Sequence, residues 1–282
     1  MMILATAALT LSAMACGSQA QDTTLVLSSD PELKSQVSEL LPDLAARANM
    51  ELVRPVRVER RSRTQLESYL LYKLDQDLPP AKARNLARVY ALLGLIPDTL
   101  DLRELLVSVY MEQVAGFYDP DSTALFVLDD MDETQLQGIL VHELVHAVQD
   151  QTANLDSLTA EERGNDHQAA AQSAIEGHAT LIMFDYMLEQ IQGQPVDLAE
   201  LPNLEQLLRP AMEAMRTQYP ALASAPPIVQ EALLFPYLKG YEFVLALWNA
   251  RDDRPPPFGA YLPESTEQVL DPVRGLGEEV DH

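Results

Sequence analysis

Apolar residues recur along most of this chain at helical spacing, and alternate as in a strand only briefly. In residues 31–48, Leu33, Val37, Leu40, Leu41 and Leu44 share one face, which predicts a helix. Pro42 is expected to kink or split it, because its nitrogen cannot donate to the preceding turn. Residues 55–59 alternate and predict a short strand. Ser62 followed three residues later by Gln65 forms a capping box that opens a helix to about residue 75. Pro79-Pro80 starts another, with Ala83, Leu86, Ala87, Tyr90 and Leu93 on one face and Gly94 as its stop. Asp101 caps a further helix to about residue 115.

Residues 116–128 then read as a hairpin, two strand-like runs around the turn Asp119-Pro120-Asp121-Ser122. Asp132, with Gln135 three residues on, is expected to cap a helix whose apolar residues (Leu136, Ile139, Leu140, Val141, Leu144, Val145, Val148) surround it on nearly all sides. Such a helix should be buried. A polar loop is expected over 152–164, then helices over 165–192, 203–219 and 228–250, the last two separated by Pro226-Pro227. The tail, with its proline run at 255–257, reads as irregular, with a loop or helix start over 263–268, and no internal repeat is evident. The fold class is therefore mostly α (α+β), with a small β-hairpin ahead of the buried helix.

The first 15 residues are nearly all apolar or small and too short to span a bilayer as a mature helix. They read as a signal peptide with Ala13-x-Ala15 at the cleavage site, although no Lys or Arg precedes the apolar run. The junction Ala-Met-Ala-Cys resembles a bacterial lipoprotein signal, which makes Cys16 the lipidation candidate and residues 16–30 a tether. Cys16 is the only cysteine, so no intrachain disulfide can form. Residues 31–115 read as a helical scaffold and 116–282 as the region carrying the chemistry, the two allowed to form one domain. A net charge of −24, from 43 acids and 19 bases, argues against nucleic acid as a partner and against simple adsorption to anionic lipid. Contact with a membrane is therefore expected only through a lipid anchor, in an exported envelope protein, or else a periplasmic or secreted one. Nothing in the sequence indicates an oligomeric state.

The chemistry concentrates in His142-Glu143-Leu144-Val145-His146. A spacing of four places the two imidazoles one turn apart, offset by about 40°, within reach of one tetrahedral metal ion. Glu143 lies beside them, placed to polarise a water. A catalytic zinc needs a third protein ligand, and the long helix offers Glu176 or His178 in Ala174-Ile175-Glu176-Gly177-His178-Ala179. These two lie about 200° apart, so only one can face the ion. The small Gly177 and Ala179 would allow a close helix approach.

Several stretches together resemble a family of bacterial secreted or lipoprotein zinc metallopeptidases of the gluzincin type (His-Glu-x-x-His plus a downstream Glu). They are residues 114–120, the run 142–151, Glu176-Gly177-His178-Ala179-Thr180, Phe235-Pro236-Tyr237-x-x-Gly240 and residues 265–270. The resemblance implies a zincin-like domain, Zn2+ held by His142, His146 and Glu176, and Glu143 as general base in hydrolysis of a peptide or protein substrate. Two positions depart from the family pattern, which usually has an acid at His178 and a histidine at Asp271. Tyr118, Tyr237, Tyr241 and His178 are candidate oxyanion donors. Asp150, one turn past His146, is a candidate to orient an imidazole, and the run at 125–128 a candidate edge strand for an extended substrate. The competing reading is a non-catalytic envelope lipoprotein whose zinc is structural or lost and whose cleft binds peptides or partners.

Overall fold

The computed structural model describes residues 25–131, 133–196, 198 and 219–272, with the side chains of 133–135 left aside. The signal-peptide and Cys16 expectations, the Asp132 cap and nearly all of the helix expected over 203–219 lie outside the described residues. In chain order the elements are β1 (Val26–Leu27), α1 (Pro31–Arg47), β2 (Val56–Arg61), α2 (Arg63–Asp77), α3 (Pro80–Leu92), α4 (Leu102–Gln113), β3 (Gly116–Asp119), β4 (Ala124–Leu128) and α5 (Glu133–Ala153). They continue with α6 (Leu155–Leu158), α7 (Asn165–Gln192), α8 (Pro220–Ser224), α9 (Pro227–Ala250) and α10 (Thr266–Leu270), with short 3-10 turns at Glu161–Arg163 and Gly259–Tyr261. The result is a mostly helical α+β fold with one small mixed sheet.

Local chemistry accounts for many boundaries. Asp30 caps α1 by accepting from the N–H groups of Glu32 and Leu33, and the Ser62–Gln65 capping box closes reciprocally at α2. Asp101 caps α4 in the same way as Asp30 caps α1. Pro42 neither splits nor ends α1, which runs on to Arg47. Leu33, Val37, Leu41 and Leu44, on both sides of the proline, are fully buried, so packing outweighs the lost hydrogen bond. Residues 152–164 are more ordered than a polar loop: α5 continues to Ala153, and Asn154 caps α6 through its side chain.

The sheet has the order β1-β2-β4-β3. β1 pairs parallel with β2, β2 parallel with β4, and only the hairpin β3–β4 is antiparallel. Of the expected tether over 16–30, the described part joins the sheet at Val26, which is buried. β4 is an inner strand with all five residues buried, so it cannot be the edge that accepts an extended peptide. The expected role of 125–128 is corrected accordingly: the outer strand on that side is β3.

One core joins the sheet to the helices. Val56, Val58, Leu125 and Val127 pack with Leu33 and Leu44 of α1, Leu140, Leu144 and Val148 of α5, and residues of α7 and α9. The N-terminal scaffold and the metal region thus share a sheet and a core. The most extensive helix contact among the described residues is α7 on α9, and it is a close one. A Cβ on Gly177 would lie 2.0 Å from the Gly240 backbone, and one on Gly240 would lie 2.0 Å from the Ser173 carbonyl oxygen. Gly177 therefore serves the contact with α9. No helix among the described residues is long and apolar enough to cross a membrane.

Candidate metal centre

α5 presents His142 and His146 to α7, and α7 presents Glu176 to both. His142 Nε2 lies 3.1 Å from His146 Nε2 and 3.1 Å from Glu176 Oε2, and His146 Nε2 lies 3.3 Å from the same oxygen. A tetrahedral ion with bonds of about 2.0–2.1 Å needs ligand atoms about 3.3 Å apart, so the triangle has the size of one face of a zinc site. Among the described residues this is the one group of three or more His, Cys, Asp or Glu side chains gathered closely enough to hold an ion. The side chains are 13, 10 and 11% exposed, so the triad is largely but not wholly buried.

The electrostatics of this donor set call for a cation. Burial pushes the Glu176 carboxyl up, but the His146 and His142 imidazoles more than reverse this and hold it far below the usual carboxylate range. Burial pulls the His146 imidazole down, and Glu176 with Glu143 overcomes it, pushing it up to about 9. A site that binds a proton this firmly between three donor atoms is suited to a metal ion in its place. The residues present fit zinc.

Around the triad, Gln172 donates to Glu176 Oε1 at 2.8 Å, leaving Oε2 to face the histidines. Glu143 accepts the Tyr118 backbone N–H at 2.9 Å through Oε2. β3 approaches α5 closely enough for this because of Gly116, where a Cβ would meet Ile139 Cγ2 at 2.7 Å. Glu143 is pushed up from its ordinary value by burial, which the two imidazoles offset only in part.

Of the four candidate oxyanion donors, the structure brings one to the site. Tyr237 of α9 stands beside the triad, its ring 6.0 Å from that of His142. The Glu176 carboxylate, then burial, pushes its phenol well above its ordinary value, so it stays protonated. Tyr118 turns its hydroxyl to Asp150 at 2.8 Å, and Tyr241 is buried in the core. His178 points away from the triad, as the 200° separation requires, and sits edge-on to Trp248 and Phe258. Asp150 also departs from expectation: its carboxylate accepts from Arg54, Tyr118 and the Leu155 N–H. Three donors draw it off the imidazole. Gln149, to which the sequence reading gave no role, meets His146 Nδ1 instead, at 2.9 Å.

Residues 81–189 match the model of a family described as "Putative metallopeptidase family (DUF6782)". That stretch runs from α3 through the hairpin, the His-Glu-x-x-His helix and Glu176, so the similarity supports a metallopeptidase-type site with a metal cofactor. No curated protein matches the chain. Among solved structures, the chain is similar to one titled a putative hydrolase with a novel fold, from Chloroflexus aurantiacus, at 17% identity and a TM-score of 0.48, over 91% of this chain and 93% of that one.

Proposed function

We propose that this protein is a zinc-dependent peptidase of the gluzincin type, with a zincin-like domain, exported to the cell envelope and anchored there through Cys16. One observation carries the activity: His142, His146 and Glu176 converge at 3.1–3.3 Å while the carboxylate of Glu143 stands next to them on the same helix as the histidines. Three protein donors, with no fourth His, Cys, Asp or Glu gathered to them among the described residues, is the composition of a catalytic zinc site; a structural one has four. This favours the enzyme over a non-catalytic peptide-binding lipoprotein. The envelope location is supported by the apolar leader and the Ala-Met-Ala-Cys junction.

When bound, zinc supplies Lewis-acid activation of water and of the scissile carbonyl. Glu143 takes the proton of the attacking water and delivers it to the leaving amine. The Tyr118 N–H holds one carboxylate oxygen, so the other is aimed, and the raised proton affinity of the buried carboxyl suits it to this exchange. Tyr237 donates to the developing oxyanion from its place beside Glu176 and His142. Among the described residues β3 pairs on one side only, with β4. An extended peptide can lie along it and bring a backbone carbonyl to the site.

The test is metal analysis of the purified protein together with digestion of a peptide library. Wild type should hold one zinc and cleave. Glu143→Gln should keep the zinc and lose at least about 100-fold in cleavage rate. Equal cleavage by Glu143→Gln would refute the mechanism, and a wild type without metal would refute the assignment.

A further inference from the structure

Behind the triad lies a fully buried amide, Gln149. Its Nε2 is 3.1 Å from the carbonyl oxygen of Ile175 and 3.1 Å from His178 Nδ1, and its Oε1 is 2.9 Å from His146 Nδ1. A carbonyl oxygen can only accept, so the Ile175 contact decides which end of the amide is NH2. The amide oxygen must then face His146, and His146 Nδ1 must carry the proton. In the neutral ring this leaves the lone pair on Nε2, the atom that faces His142 Nε2 and Glu176 Oε2. The second NH2 hydrogen is met by His178 Nδ1, which must offer a lone pair. Its ring is wedged between Trp248 and Phe258, at 6.0 and 5.9 Å.

We propose that Gln149 is a positioning residue: its amide sets the metal-binding tautomer of His146 and registers the histidines of α5 against Glu176 of α7, with His178 preventing the amide from turning over. The inference rests on the zinc reading of the triad. Ile175 adjoins Glu176 in the chain, so one side chain fixes both a ligand's protonation and the backbone that carries the third ligand. A neutral acceptor suits this pocket, because Glu143 and Glu176 already place two carboxylates around the imidazoles. It also explains why a histidine stands at 178, a residue that reaches neither the metal position nor solvent.

The test uses the zinc-loaded full chain with 15N-labelled histidine, read by chelator competition for zinc affinity and by the His146 Nδ1–H resonance. In wild type this proton should exchange slowly with water. Gln149→Leu should weaken zinc binding by about 10- to 100-fold and expose the proton to exchange. Gln149→Glu keeps an acceptor for His146 but loses the donor to Ile175 and His178, so it should hold the Nδ1 proton better than Gln149→Leu does while still lowering zinc affinity. A Gln149→Leu chain that binds zinc within about twofold of wild type, its resonance unchanged, overturns the inference. If Gln149→Leu fails to fold, the wild-type resonance decides, since a freely exchanging Nδ1 proton is incompatible with the bond. A wild type that takes up no zinc would instead sink the peptidase reading on which this rests.

Discussion

Gly177→Ala tests the idea that the third ligand is placed by helix contact. The added methyl would stand 2.0 Å from the Gly240 carbonyl carbon and 2.2 Å from its oxygen, where ordinary contact begins at 3.4 Å. Both atoms are backbone in the middle of a helix, so no side chain can swing aside. Relief requires α7 and α9 to separate by about 1.4 Å, the difference between 3.4 and 2.0 Å. Overpacking of this kind costs typically ~1–3 kcal/mol, and backbone against backbone puts this case at the upper end, about 3 kcal/mol. The same movement shifts Glu176, the preceding residue, relative to His142, His146 and Tyr237, in a triangle whose edges are only 3.1–3.3 Å. Urea denaturation of the metal-free chain should show the stability loss, and chelator competition a zinc affinity lowered by about tenfold or more. Gly138→Ala on α5 is the control: a Cβ there meets nothing within 4 Å, and replacing a mid-helix glycine should stabilise by roughly 0.5–1 kcal/mol. A Gly177→Ala protein with wild-type stability and zinc affinity would refute the reasoning.

Glu176→Ala should abolish most zinc binding, whereas His178→Ala should weaken it by about tenfold at most, because His178 acts on the site only through Gln149; metal titration of the two variants checks this, and the reverse order would make the site a three-histidine one. In the metal-free protein, the raised His146 contributes stability that is complete below its ordinary 6.5 and is lost as pH climbs through about 9. Zinc must displace that proton, so its affinity should rise by up to about tenfold per pH unit over the same interval; a flat profile by isothermal titration would contradict the raised value.

Much of this was written locally in the sequence. The Ser62–Gln65 box, the Asp101 cap and the Pro79-Pro80 start are short-range signals, and each opens a helix where expected. The two histidines and Glu176 could be read because helical spacing fixes direction. Three things could not be read. β1 is two residues long and has no period, and its pairing with β2 brings in residues from the far side of α1. The direction of Asp150 depends on Arg54 and Tyr118, which approach from other elements. Gln149 carries no pattern signal, because its role arises from Ile175 and His178 across the helix interface. Ala-Leu-Phe-Val-Leu does carry a signal of its own: it shows no alternation, which is how a strand covered on both faces reads.

The inner position of β4 also sets the order in which this chain can fold. The β3–β4 hairpin closes over a short turn and can form in about 1–10 µs. Its parallel partner β2 lies some 67 positions earlier (Arg57 against Ala124) and must be brought back by the slower closure of a long loop. Until β2 arrives, Ala124–Leu128 is an open strand of five apolar residues with neither charge nor proline, a template for pairing with another chain in the same state. Refolding yield should therefore fall with protein concentration. The net charge of −24, by keeping unfolded chains apart, counters this while the sheet is incomplete.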